Sequence, residues 1–164
     1  MLRLALTALL LTGPALADPH TIADLSDTAT HDDWRFFTDR VMGGRSEGEA
    51  VIENGAITLR GTVSTANGGG FIQARLDDVA LPDGATRLVV RVRGDGQVYY
   101  LHLRTEGTSL PWQYYQAPFV AAPGWSEVAV PLSSFTASGP LMRAAPEPGQ
   151  VRSVALVAYG AGFI

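Results

Sequence analysis

The chain has 164 residues, enough for one domain with a substantial core, and 46% of them are hydrophobic, which excludes a disordered chain. All twelve basic residues are Arg, and sixteen acids bring the formal charge to -4. That balance speaks against nucleic acid as a partner, because a phosphate backbone needs a basic face. There is no Cys, which removes disulfides, thiol catalysis and zinc–thiolate sites together.

Met1–Ala17 has the three-part pattern of a secretory signal peptide. Arg3 gives the basic start, Leu4–Leu11 the apolar run, Gly13-Pro14 the break, and Ala15-Leu16-Ala17 the small-x-small cleavage site. The run falls short of the roughly 20 residues that span a bilayer. The expectation is cleavage before Asp18, a periplasmic or secreted protein, and no membrane span thereafter. Residues 18–33 read as an irregular polar segment with one turn around Ile22–Leu25. A single β domain is expected over residues 34–164.

From Trp34 onward the hydrophobic period is close to two. Ala50–Glu53 and Ala56–Arg60 flank Asn54-Gly55, the preferred type I′ hairpin turn. Phe71–Leu76 alternates with Phe71, Gln73 and Arg75 on one side. Leu88, Val90 and Val92 alternate with Val89, Arg91 and Arg93, so the arginines face out. Gly94-Asp95-Gly96 leads into Gln97–Arg104, where Tyr99, Leu101 and Leu103 oppose Tyr100, His102 and Arg104. These two strands are expected to pair antiparallel. Gln113–Val120 and Trp125–Leu132 are strand-like. Ser133–Gly149 reads as loop, and Val151–Tyr159 is apolar enough to be a central strand. No window shows a helical stripe, and eighteen Gly and ten Pro punctuate short strands, which indicates an all-β sandwich or jelly roll. The sequence stops at Ile164 where another strand would begin. The sandwich is therefore expected to lack its last strand, or to have that edge filled by another element.

Three segments could carry recognition. Asp39-Arg40-Val41-Met42-Gly43-Gly44-Arg45-Ser46 combines a fixed carboxylate and guanidinium with two glycines, which suits a binding loop or, more simply, a structural turn. Asn67-Gly68-Gly69-Gly70-Phe71 opens a strand rather than a helix, so it lacks the amide array that cradles phosphates and is no dinucleotide fingerprint. Its reading is a sharp strand entry with Asn67 at a rim. Trp112, Gln113, Tyr114, Tyr115, Gln116 and Phe119 place aromatic faces beside amides, which suits a sugar ring or a protein surface. Alternation should send half of these rings into the core. His20, His31 and His102 have no ligand spacing, Asp32-Asp33 reads as a solvated turn, and no nucleophile elbow is present. No metal, cofactor or catalytic group is expected.

Taken in order, these motifs form a pattern. Asp39–Ser46 is followed by Ser64–Phe71 with Arg75, then Arg93-Gly94-Asp95-Gly96 with Tyr99, then Trp112, Tyr114, Gln116 and Phe119, and last Trp125 with Val130-Pro131-Leu132 and Phe135. The series resembles the complex I intermediate-associated protein family over about Trp34–Tyr159. The resemblance implies a galactose-binding-like β-sandwich that acts without catalysis as an assembly chaperone for a membrane complex. It carries the motif positions Asp39, Arg40, Gly43, Gly44, Ser46, Asn67, Gly69, Gly70, Phe71, Arg75, Gly94, Asp95, Tyr99, Tyr114, Gln116 and Phe119.

The leading expectation is a non-enzymatic binding or assembly factor. Its loop ends, with Asp39, Arg40, Gly43, Gly44, Ser46, Asn67, Gly70, Phe71, Arg75, Asp95, Trp112, Tyr114 and Gln116, would grip a protein partner or a saccharide. The alternative is a periplasmic carbohydrate-binding module. A third class is a hydrolase using Asp39 or Asp95.

Overall fold

The computed structural model describes residues 19–68 and 70–160. The expected signal segment Met1–Ala17, Gly69 and residues 161–164 lie outside the described residues. In the N-terminal polar segment, the helical turn falls at Thr28–Asp33 instead of Ile22–Leu25. Asp27 fixes its start by accepting a hydrogen bond from the Ala29 amide, as capping aspartates do.

Ten strands follow among the described residues. They are β1 (Trp34–Thr38), β2 (Glu47–Glu53), β3 (Ala56–Thr62), β4 (Phe71–Asp77), β5 (Arg87–Val92), β6 (Val98–Thr105), β7 (Tyr115–Val120), β8 (Ser126–Pro131), β9 (Thr136–Ala137) and β10 (Val151–Tyr159). One layer is a six-stranded sheet in the order β1-β4-β10-β6-β7-β9, and β10 is central, as its apolar run predicts. The other layer is two separate antiparallel ribbons, β2–β3 and β5–β8. The first ribbon packs across β1 and β4, and β8 of the second packs across β7.

Strict alternation decides which side chains enter the core. On β4, Ile72, Ala74 and Leu76 are buried while Phe71, Gln73, Arg75 and Asp77 point the other way. Leu101 and Leu103 of β6 and Tyr115, Ala117 and Phe119 of β7 meet Leu88 and Val130 from the opposite layer, with Phe135 beneath them. Each large side chain buried here stabilises the fold by about 1.5–3 kcal/mol. Asn54 and Gly55 take φ of 52° and 71°, the type I′ geometry that the dipeptide predicts. The result is a β-sandwich.

Two expectations are corrected. β5 does not pair with β6; it pairs with β8, while β6 lies between β10 and β7. Gly94-Asp95-Gly96 is a crossing between layers, tied down where the Gly94 and Gly96 amides donate to the Ala122 and Ala121 carbonyls. Both strands present alternating apolar residues to the same core from opposite sides, so periodicity alone cannot tell a hairpin from a layer change. In addition, the loop read over Ser133–Gly149 contains the two-residue strand β9, which pairs with β7.

Candidate functional site

The sequence motifs divide between two regions. In the first, Asp39 is fully buried (0% exposed) and its carboxylate is consumed by the chain itself. Oδ1 accepts from the Ser46 amide at 2.8 Å, and Oδ2 accepts from Ser46 Oγ at 2.6 Å and from the Gly70 amide at 2.6 Å. The Ser46 hydroxyl in turn accepts from the Ser64 amide at 2.9 Å. Burial alone would raise the Asp39 pKa. The donors from Ser46, Gly70 and Phe71 outweigh it and hold the carboxyl below its usual value. Gly44 is required here because a β-carbon would overlap the Asp39 side chain. Gly43 turns the chain in the left-handed region at φ 89°, and Asn67, itself at φ 59°, donates from Nδ2 to the Gly43 carbonyl. Arg40 is exposed and pairs with Glu47 at 3.5 Å. Asp39, Gly44 and Ser46 thus lock two loops together from within.

Asp95 does comparable work in the crossing between layers, accepting from the Gln97 amide and side chain and from the Tyr99 hydroxyl. Burial followed by the Asp95 charge pushes Tyr99 up to about 12. His31 is also occupied, its Nε2 lying 3.0 Å from the Leu25 carbonyl.

The second region is the outward face of the six-stranded sheet. Register places Gln73 and Arg75 of β4 and Tyr100, His102 and Arg104 of β6 on either side of Ser153, Ala155 and Val157 of β10. Gln116 stands opposite His102 on β7. Small residues on β10 let the flanking long side chains close over it, so that Val157 is fully buried on this outward side.

The face is polar and aromatic. Tyr114 stacks on His102 with centroids 4.1 Å apart, and Tyr159 lies edge-on to Tyr100 at 6.0 Å. Burial first, then the charge of and a hydrogen bond with Tyr159, raise the Tyr114 hydroxyl above its ordinary pKa. At one end Arg75 lies 4.6 Å over the Phe37 ring and pairs with Asp77, which Arg35 also reaches. Arg104 donates to the Thr108, Leu110 and Pro111 carbonyls and so fixes the loop that carries Trp112, a residue 63% exposed.

At the centre the hydrogen bonding is incomplete. His102 is 9% exposed, and burial brings its pKa down to about 4, so the ring is neutral at pH 7. His102 Nε2 and Gln116 Oε1, on facing residues of β6 and β7, are buried without a hydrogen-bond partner in the chain. Buried polar atoms are seldom left unpaired.

Of the residues singled out in the sequence, Phe71, Arg75, Tyr114 and Gln116 come together on this face, with Trp112 at its margin. Asp39, Ser46, Gly44 and Asp95 do not join them. Tyr100, His102, Arg104 and Tyr159 were not singled out as site residues. Their signal was present in β6, whose non-core positions are aromatic and polar where an ordinary solvent face would carry Thr, Glu or Lys. Tyr115 and Phe119 point into the core, as the alternation of the aromatic cluster requires.

The architecture is that of the galactose-binding-like β-sandwiches found in carbohydrate-binding modules. A family 11 carbohydrate-binding module from a cellulosomal cellulase of Clostridium thermocellum superimposes with a TM-score of 0.51 at 13% identity, covering 78% of each chain. The same family's module in complex with a β-1,3-1,4-mixed-linked tetrasaccharide gives 0.50 at 14% identity, over 78% of this chain and 79% of that one. An agarase gives 0.58 at 10% identity, over 85% of this chain and 22% of the agarase. At such identities the likeness concerns the fold. No curated protein matches the sequence. The signature of complex I intermediate-associated protein 30 matches residues 23–162, and the chain belongs to that family.

Proposed function

We propose that the chain is a non-catalytic binding factor that holds a protein partner during assembly of a membrane or envelope complex, and that it does so with the outward face of the six-stranded sheet. One observation carries the choice of face: two buried polar atoms on facing residues, His102 Nε2 and Gln116 Oε1, lack partners in the chain, and the Tyr114 ring stacks on His102. Everywhere else the motif carboxylates are engaged by their own chain. Membership of an assembly-factor family supports a protein as the partner. The export pattern of Met1–Ala17 supports a site of action outside the cytoplasm. Among the described residues no helix is long and apolar enough to cross a membrane.

A second reading has its own support. A stacked Tyr and His beside Gln116, with Trp112 exposed at the edge, is the chemistry that holds a sugar ring between an aromatic face and hydrogen-bonding amides. Cross-linking in native envelopes, followed by capture, separates the two readings. The assembly reading expects one defined membrane protein, lost with Tyr114→Ala. Recovery of general chaperones alone, together with calorimetric binding of mixed-linked β-glucan, would replace it with the saccharide reading.

A further inference from the structure

The hydrogen bonds around Asp39 hold up a turn with an apolar tip. Asp39–Met42 is one 3-10 turn, opened where the Arg40 amide donates to Thr38 Oγ1 and closed where the Gly43 and Gly44 amides donate to the Arg40 and Asp39 carbonyls. It leaves Val41 and Met42 in water, 73% and 63% exposed. Strand register gives them company. β1, β5, β7 and β10 finish, and β4, β6 and β8 start, at the end of the sandwich where this turn lies. Val98 opens β6 directly opposite Val120 at the close of β7, and Trp125 stands just before β8; all three are exposed. The polar slot at this end, lined by Arg60, Asp95 and Tyr99 among others, includes none of these five residues. They sit on separate segments of one end, without a groove between them. A protein partner needs a shape that fits such a surface; a fluid bilayer moulds itself to it.

Charge selects the same end. Its carboxylates are engaged: Asp39 is buried, Glu47 pairs with Arg40, and Asp95 accepts from Gln97 and Tyr99. Arg45 and Arg93 are exposed there with no carboxylate partner among the described residues, and Arg93 lies 5.1 Å over the Trp125 ring. At the opposite end, before β1 and after β4, Asp24, Asp27, Asp32, Asp33 and Asp78 are exposed and none pairs with a cation among the described residues. The free charge is thus cationic beside the apolar tips and anionic at the far end. A phosphate-bearing surface attracts the first and repels the second. Tryptophan and arginine side by side suit the boundary between headgroups and hydrocarbon.

We infer that this end of the sandwich seats on the surface of an anionic phospholipid bilayer. Val41, Met42, Val98, Val120 and Trp125 enter the headgroup layer, and Arg45 and Arg93 meet lipid phosphates. The contact goes beyond the protein-partner reading and leaves Tyr114, at the other end of β7, clear of the lipid.

The purified chain, mixed with vesicles containing phosphatidylglycerol or with vesicles of phosphatidylcholine alone, tests it. Sedimentation should find tighter binding to the anionic vesicles, weakening as salt is added. Met42→Asp should weaken it by about tenfold or more, Arg45→Glu should remove most of the anionic preference, and Tyr114→Ala should leave binding unchanged. Brominated lipid should quench Trp125 in a Trp112→Phe variant and spare Trp112 in a Trp125→Phe variant. Equal quenching of the two overturns the inference. So does binding that survives Met42→Asp, because another segment then makes the attachment, and so does an absence of vesicle binding. If, in that last case, Met42→Asp abolishes capture of an envelope protein or self-association of the chain, the occupant is a protein partner or a second copy. Vesicle binding as described, with no defined protein captured through Tyr114, sinks the assembly reading and leaves this one standing.

Discussion

The Asp39 clamp and the Tyr114 face each bury polar groups, and they treat them in opposite ways. Around Asp39 the carboxylate oxygens meet donors from Ser46 and Gly70, with the Phe71 amide adding to their effect, and Ser46 Oγ serves both Asp39 and Ser64. Around His102, which is also buried, one ring nitrogen and one amide oxygen go unanswered. A satisfied buried network stabilises a loop junction. An unsatisfied one lowers stability. The contrast separates polar groups whose hydrogen bonds build the fold from polar groups left without a partner in the chain, which the motif list alone does not do.

The sharpest way to break the comparison is Asp39→Ala. It strands the Ser46, Gly70 and Phe71 donors in the interior and should cost about 3–5 kcal/mol in urea unfolding, with Asp39→Asn less damaging. A cost below about 1 kcal/mol would mean that the clamp is ornamental. Next is pH. The unfolded His102 takes up a proton near 6.5, while the folded ring resists until about 4. The unfolded state therefore binds more protons in that window, and stability falls as pH drops through it, by up to about 3 kcal/mol. His102→Phe should remove this slope. Asp39, depressed below its ordinary 3.8, adds a further loss as pH falls under that value, and His102→Phe leaves this loss intact. A thermal-melt series from pH 7 to 3 resolves the two windows.

Smaller effects sharpen the boundary. Gly44→Ala pushes a methyl against Asp39 and should cost about 2 kcal/mol through overpacking. Tyr114→Ala removes one aromatic stack, costs about 1 kcal/mol of stability, and abolishes partner capture. Trp112→Ala, at an exposed ring, should move stability by no more than about 0.5 kcal/mol. A larger change would make Trp112 part of the fold.

Much of the fold is legible because β-structure writes itself at a period of two. The Asn54-Gly55 turn, the inward set of β4 and the central place of β10 all follow from local pattern. The partner of β5 is not legible, because two antiparallel strands facing one core from opposite layers share the pattern of a hairpin. The candidate face is half legible. Tyr114, Gln116 and Arg75 announce themselves by type. His102 and Tyr159 join them only through the register of β6, β7 and β10, a property of pairing across distant sequence. Asp39 misleads for the converse reason: a carboxylate beside two glycines looks like a ligand site until its acceptors are seen to be engaged.

Arg104 has a kinetic meaning as well. Its three bonds to carbonyls at Thr108, Leu110 and Pro111, together with the mutual bonds of Tyr114 and Ser138, hold the Trp112 loop in one shape before anything arrives. A visitor to that rim finds a surface that has already surrendered its conformational freedom when the chain folded. If this rim is the contact surface proposed above, encounter and capture would be nearly the same event, and the lifetime of the complex would depend on how readily its contacts break, with no loop to refold on departure.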